Sequence, residues 1–288
     1  MNRKLLSIVL LLMLVIILVG CTSGGSRSVA DVNYQRGVKE VSFDFVKGSP
    51  PSKVFQDSPL KLIIDVENEA AYDVFDVDMR LIGLDETHFF IADSKQEVDR
   101  LQGKSVTNPI GDRQLVSFDV RTGTLQENEK ELKDNFILTA SYKSTSDYFD
   151  TVCIHPGIYT IGKKESCRVD DTKSYSGQGS PLAVTKLEQI TFPGDGAEVE
   201  FRFTIKNRGK GKIGKVALGI ARIGSKDMNC KFQNSADNDK AFDFEGEKEA
   251  TLVCRALIDS KSPYVTTVAL DFSYDYEISK KHQLNMYK

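Results

Sequence analysis

The sequence has no tryptophan and only three histidines, His88, His155 and His282, which lie far apart along the chain. A Ser-His-Asp set would have to be assembled from distant segments, and no nucleophile-elbow motif supports one. An excess of charge of one sign is also lacking, since 38 basic and 41 acidic side chains give a net charge of -3. A balance this close to neutral does not predict nucleic-acid binding. We therefore expect neither an enzyme nor a nucleic-acid partner.

Cysteine is scarce, and no two of the five cysteines have the short C-x₂₋₄-C spacing that is usual in zinc sites. Cys21 stands apart near the N-terminus, which leaves four others. An even number in an exported chain predicts two disulfides, and four cysteines allow three pairings. We expect the two local pairings, Cys153 with Cys167 and Cys230 with Cys254. Closing loops of this size stabilises a fold by about 3 kcal/mol each. No cofactor is expected.

Oxygen ligands suitable for Ca²⁺ are present, but a recognisable calcium loop is lacking. Acidic side chains crowd residues 67–78 and 237–245. Counting an EF-hand loop from Asp237 places Phe242 where glycine is required and Lys248 where the bidentate glutamate belongs. We expect solvated acidic surfaces and predict no metal site, and calcium is the alternative.

The one long apolar run, residues 5–20, follows Arg3 and Lys4. A short basic stretch, an apolar core and small residues are typical of a secretory signal. The run is shorter than the roughly twenty residues of a membrane-spanning helix. Its end, Leu18-Val19-Gly20-Cys21, resembles the lipobox of bacterial and archaeal lipoproteins, which implies that Cys21 becomes the lipidated N-terminus. An uncleaved anchor is the alternative, and both predict a chain on the outer face of the membrane.

After a signal peptide at 1–21, the sequence is typical of an all-β protein. Residues 22–35 are a polar spacer, which cannot bury a core. We then predict a first Ig-like β-sandwich at 36–150, a disulfide-bearing junction and linker at 151–181, and a second sandwich at 182–288. Residues 85–103 are predicted to be a long loop with one helical turn, and a β-bulge is predicted near Val74. The strands predicted from alternating apolar residues are 37–46, 60–68, 72–82, 114–120, 135–142, 182–192, 199–206, 216–220, 252–256 and 266–278.

The two predicted sandwiches have similar sequence patterns. Alternating apolar residues are followed by Asn68 in the first and Asn207 in the second, which we place in turns where Asn bonds its neighbours. Residues 205–209 match the aliphatic-x-Asn-x-Gly turn of Ig-like adhesion-type domains of the CARDB class, which are common on archaeal and bacterial surfaces. The resemblance implies tandem sandwiches with binding or spacing roles. The first unit departs from the pattern, because residues 69–70 are Glu-Ala where such domains usually place a glycine.

A glycine-rich turn in the second unit is strongly basic. Residues 209–215 fit G-x-x-x-x-G-K, but Val216 stands where a P-loop needs Ser or Thr, and a strand follows where a helix is needed. No Asp or Glu occurs from residue 201 to 226. A solvated turn is the ordinary interpretation, and contact with anionic glycans or lipid headgroups is the alternative. The five side chains of this candidate contact are Lys206, Arg208, Lys210, Lys212 and Lys215.

Together these patterns predict a lipid-anchored envelope protein with a non-catalytic binding, adhesive or structural role. Its partner would be a protein or a surface polymer, and we favour a role within a larger surface assembly. The alternative is an extracellular ligand-binding module or an accessory module of an envelope enzyme. That alternative requires a concave pocket lined by aromatic and polar groups.

Overall fold

The computed structural model describes residues 33–156, 166–192, 197–235 and 240–288, and all regular structure in this part of the chain is β. Residues 34–288 form one compact unit. The predicted signal peptide and Cys21 lie outside the described residues. No helix in the described ranges is long and apolar enough to span a membrane. The all-β class is confirmed.

The strands of the described part are, in chain order, β1 (Val41–Phe45), β2 (Val54–Phe55), β3 (Pro59–Asn68), β4 (Val74–Ile82), β5 (Phe89–Ile91), β6 (Lys95–Leu101), β7 (Arg113–Thr122), β8 (Glu131–Ile154), β9 (Thr172–Ser174), β10 (Leu182–Phe192), β11 (Ala197–Asn207), β12 (Lys212–Ile223), β13 (Lys226–Asp227), β14 (Asn229–Phe232), β15 (Ala241–Asp243), β16 (Glu249–Ile258) and β17 (Tyr264–Tyr287).

The strands form two smaller sheets that cover a larger one. The first contains β1, β3, β7 and β5 in that order, and the second contains β14, β16, β11, β10 and β9. The large sheet runs β13-β12-β17-β8-β4-β6, with β15 beside β12 and β2 parallel to the end of β17. The ring of Phe45 lies 6.0 Å from that of Phe136 on β8, and Phe203 lies 5.6 Å from Tyr148, also on β8. Both smaller sheets therefore pack on the large sheet, as in a β-sandwich.

Two strands of 24 residues each, β8 and β17, connect the halves of the molecule. They pair along their whole length, from Tyr264 opposite Ile154 to Tyr287 opposite Glu131. On their other sides, β8 pairs with β4 and β17 pairs with β12. The predicted boundary at residue 150 lies inside β8, so one continuous sheet passes through both predicted sandwiches.

The core is built from alternate residues of these strands. The inward side chains of β3 are all buried, as are those of β11. Burying a side chain of this kind stabilises the fold by about 1.5–3 kcal/mol. The predicted strands at 60–68 and 199–206 are thus confirmed, together with the face that each turns inward. The buried residues are Leu60, Leu62, Ile64 and Val66 on β3, and Val199, Phe201, Phe203 and Ile205 on β11.

The prediction of a long loop at residues 85–103 was wrong, because they contain β5 and β6. The one helical turn expected there is present, since Phe89 N donates to Asp85 O at 2.8 Å. Strand β6 reads KQEVDRL, and only Val98 and Leu101 are buried, since β6 is the outermost strand of the large sheet. Two apolar residues three positions apart imitate a helical pattern. The predicted bulge is present, because the register of β4 and β8 shifts between Phe75 and Asp78, and Asp76 has a φ of 52°.

Two further segments differ from the simple alternation. Ile220 was expected to share the buried face of β12, but it is exposed because the register with β17 shifts between Leu218 and Ala221. The Gly/Ser stretch at 174–181 is partly built into the interior. There Gln178 exchanges two hydrogen bonds with the backbone of Val184, at 2.8 and 3.1 Å.

Both local disulfides are present. Cys153–Cys167 spans 14 residues and Cys230–Cys254 spans 24. The second joins directly opposite residues of β14 and β16. Two disulfides are typical of a protein that folds in an oxidising extracellular or periplasmic compartment.

Candidate binding surface

Asn68 and Asn207 end β3 and β11 with the same pair of hydrogen bonds. In each, Nδ2 donates to the carbonyl four residues later at 2.9 Å. In each, Oδ1 accepts from the amide two residues later, at 3.0 Å for Asn68 and 3.1 Å for Asn207. The prediction that both residues bond their neighbours is confirmed. Each is the last residue of its strand and bonds the turn that follows, whereas the prediction placed it inside the turn. The internal sequence similarity therefore extends to the hydrogen bonds of these turns.

The glycine-rich turn packs against the buried side chain of Tyr276. The Tyr276 hydroxyl accepts a hydrogen bond from Gly211 N at 2.7 Å and donates to the carboxylate of Glu40. Glu40 Oε2 also accepts from Lys210 N at 3.1 Å. Burial, and then the hydrogen bond to Glu40, raises the pKa of the Tyr276 hydroxyl. Sequence reasoning missed Glu40, because it lies 236 residues from Tyr276 and no local pattern connects the two.

The structure separates the five basic side chains singled out in the sequence. Lys206 is held at 2.5 Å by a glutamate of β16. Lys212 and Lys215 line a cleft. Arg208 and Lys210 are exposed, and neither has an ion pair with another residue of the described part. The five residues therefore do not form a single cationic surface.

The cleft is an open groove of about 940 Å³ where β4, β8, β17 and β12 lie side by side. Its lining carries seven carboxylates and three lysines, and none of its described lining residues is a histidine or a cysteine. Asp78 binds Arg80 at 2.7 Å, and this hydrogen bond holds the pKa of Asp78 below its usual range against the effect of burial. An excess of carboxylates favours cations over anions. The acidic lining residues are Asp76, Asp78, Asp243, Glu245, Glu247, Asp275 and Glu277.

The histidines lie in three separate places. His88 contacts Asp85 at 3.0 Å, His155 is buried, and His282 stacks on Phe136. Burial lowers the pKa of His282. No three His, Cys, Asp or Glu side chains of the described ranges are arranged to hold a metal ion. Residues 237–239 of the second acidic cluster lie outside those ranges.

No family model and no curated protein matches the chain. Among solved structures, it is similar to the secreted serine protease VesC from Vibrio cholerae, with 10% identity over 86% of this chain and a TM-score of 0.23. The chain spans 52% of the length of that protease chain. It is also similar to the CupB6 tip adhesin from Pseudomonas aeruginosa, with 9% identity over 88% of this chain and 98% of the adhesin chain, and a TM-score of 0.23. At these TM-scores neither likeness bears on fold or function.

Proposed function

We propose that the protein is a lipid-anchored component of the cell envelope, displayed on the outer face of the membrane. The observation that carries this proposal is the sequence Leu18-Val19-Gly20-Cys21 directly after an apolar run. The two disulfides support it, because thiols pair in oxidising compartments. Residues 205–209 resemble a turn of CARDB-class domains, and this resemblance supports a non-catalytic binding, adhesive or structural role. The partner would be an envelope protein or a surface polymer within a larger assembly.

Replacing Cys21 tests the anchor. In cells that lipidate exported proteins, the wild-type chain should incorporate a labelled fatty acid and sediment with the membranes. Cys21→Ser removes the acylated thiol and should abolish the label, whereas Ser23→Ala, two residues away, should be labelled like the wild type. Recovery of an unlabelled wild-type chain from the cytosol, with every thiol reduced, would contradict the proposal.

A second candidate function is that of an extracellular ligand-binding or accessory module. The cleft favours it, because a groove of about 940 Å³ can hold a small ligand. Its carboxylates select a cationic ligand, so calorimetric titration with a polyamine is the first test. Asp275→Asn combined with Glu277→Gln should weaken such binding. A titration without heat at low salt would count against this candidate.

A further inference from the structure

The N-terminal segment, residues 34–40, is fixed to the fold by backbone hydrogen bonds. Gly37 O accepts one from Gly179 N at 2.9 Å, and Gly179 O accepts one from Ala71 N at 2.9 Å. A Cβ placed at Gly179 would meet both Tyr34 and Ala71. Tyr34, the first residue of the compact unit, therefore lies beside the turn that contains Ala71.

A loop next to that turn, residues 103–112, presents two aliphatic side chains to solvent. Val106 is 61% exposed and Ile110 is 68% exposed. The loop is nevertheless held at both ends, by backbone hydrogen bonds of 2.7 Å to Ala70 and 2.9 Å to Asn68. Single exposed aliphatic side chains are ordinary on a protein surface, so these two gain significance only from the charges beside them.

Cations without partners lie on the same part of the surface. Arg208 N donates to Pro181 O at 2.8 Å, close to Gly179 in the chain, and Lys210 N donates to Glu40 in the N-terminal segment. Arg36 belongs to that segment itself. The side chains of Arg36, Arg208 and Lys210 are exposed, and none forms an ion pair within the described part of the chain.

Among the carboxylates nearby, Glu67 and Glu69 are paired with lysines. Glu40 and Asp112 are half-buried and accept hydrogen bonds from uncharged donors. Glu40 accepts from the Tyr276 hydroxyl. Glu67 lies 3.7 Å from Lys104, and Glu69 lies 3.9 Å from a lysine of the N-terminal segment. Cations without ion-pair partners in the described part of the chain and exposed aliphatic side chains thus occur together near Tyr34, where the compact unit begins. This combination matches a bilayer surface, which offers anionic headgroups above an apolar interior.

We propose that this surface, formed by Arg36, Val106, Ile110, Arg208 and Lys210, lies on a membrane that carries anionic lipid headgroups. The inference rests on the lipid anchor proposed above. Tyr34 lies thirteen residues after Cys21, and a chain of that length reaches at most about 45 Å. The anchor thus keeps the surface close to the bilayer. Because the surface is tethered, even a weak contact holds it on the membrane.

The lack of tryptophan allows a direct test. Ile110→Trp puts a single indole into the surface of the full-length lipidated protein, which is reconstituted with vesicles of phosphatidylglycerol and phosphatidylcholine. Bromine-labelled lipid tails should quench its emission. Leu257→Trp replaces a side chain on β16 that is also 68% exposed, and this matched control should not be quenched.

Removing charge tests the role of the cations. Each of Arg36→Gln, Arg208→Gln and Lys210→Gln should weaken the contact about five-fold, and vesicles of phosphatidylcholine alone should also reduce quenching. A protein that floats with the vesicles, while its Ile110→Trp indole is quenched no more than the control, overturns the contact and leaves the anchor intact. A protein that does not float overturns both. An indole shielded only by added envelope protein would assign the surface to a protein partner and overturn the lipid contact.

Discussion

Individual residues determine the turn that follows β11. The backbone of this turn contacts Glu40 and Tyr276 so closely that position 209 has no room for a side chain. In the equivalent turn of the first half, Ala70 occupies the matching position and its methyl group is buried. The two turns share their hydrogen bonds but differ in what lies against them.

Gly209→Ala should destabilise the protein. The added Cβ would clash with the Tyr276 hydroxyl and lie 2.7 Å from both Glu40 Oε2 and Pro181 Cβ, so the turn or these side chains must shift. We expect the free energy of unfolding, measured by urea denaturation, to fall by about 1–3 kcal/mol. Gly214→Ala is the matched control, because the nearest atom to its added Cβ, the Cβ of Asp275, would lie 3.6 Å away, which is an ordinary van der Waals distance. Equal losses in the two variants would show that the steric argument is wrong.

For Glu200, the sequence pattern predicts the face of the strand but not the burial of the side chain. The alternation of β11 correctly places it on the outer face, yet it is buried beneath two arginines. Its carboxylate binds Arg202 at 2.7 Å and Arg255 at 2.6 Å. Burial raises the pKa of Glu200, but the hydrogen bonds and charges of the two guanidinium groups outweigh it and hold the pKa below its ordinary value of 4.5.

This depressed pKa predicts a dependence of stability on pH. Ionised Glu200 contributes its full stabilisation above the unfolded-state pKa of 4.5, and the contribution is lost as the pH falls through the lower folded-state pKa. We expect the difference in unfolding free energy between the wild type and Glu200→Gln to be constant above pH 4.5 and to shrink below it. Denaturant titrations at a series of pH values measure this difference. A difference that stays constant in acid would contradict the prediction.

Among the elements, the predictable strands are those with one clearly apolar face. Strands β3 and β11 bury an aliphatic or aromatic residue at every second position, so their sequences alone identify them. The second half of β8 lacks this signal, because its buried face includes Ser144 and Ser146. Their hydroxyls bind Asp73 O at 2.8 Å and Leu182 O at 3.2 Å. Such partners are supplied by distant segments, so local sequence cannot predict the strand.

The disulfide between β14 and β16 should hold an edge strand in place. Cys230→Ala combined with Cys254→Ala opens a link across 24 residues and should reduce the free energy of unfolding by about 3 kcal/mol. Hydrogen exchange should accelerate in β14, since it is the outermost strand of its sheet. Strand β9, at the opposite edge, provides the internal control. Unchanged protection of β14 would argue against this role.

For the whole molecule, the pairing of β8 with β17 joins the two halves into one sheet. The tandem pattern could be predicted from the sequence, whereas the continuous sheet could not, because the register depends on contacts more than a hundred residues apart. The proposed membrane-contact surface likewise depends on contacts between segments that are distant in the sequence. Its residues come from the N-terminal segment, the 103–112 loop and the glycine-rich turn, and folding brings these segments together.

A shared sheet predicts that the two halves unfold together. Leu62→Ala opens a cavity in the first half, since Leu62 is fully buried, and should cost about 2–5 kcal/mol. We expect a single urea transition and faster hydrogen exchange in β11 of the second half as well as in β3. Leu115→Ala, at an exposed leucine, should change the stability by less than about 0.5 kcal/mol. If β11 kept its protection in the Leu62→Ala variant, the halves would be independent.

The equal length of β8 and β17 also has a consequence for a fragment that contains only the first half of the protein. A fragment that ends after β8 would carry a 24-residue strand with one bare edge, which is a template for another chain. Because the two strands run antiparallel, a second copy of the fragment can take the place of β17 through a twofold axis. The excised half is therefore expected to be a homodimer, which is also the arrangement that gene duplication and fusion would convert into the present single chain.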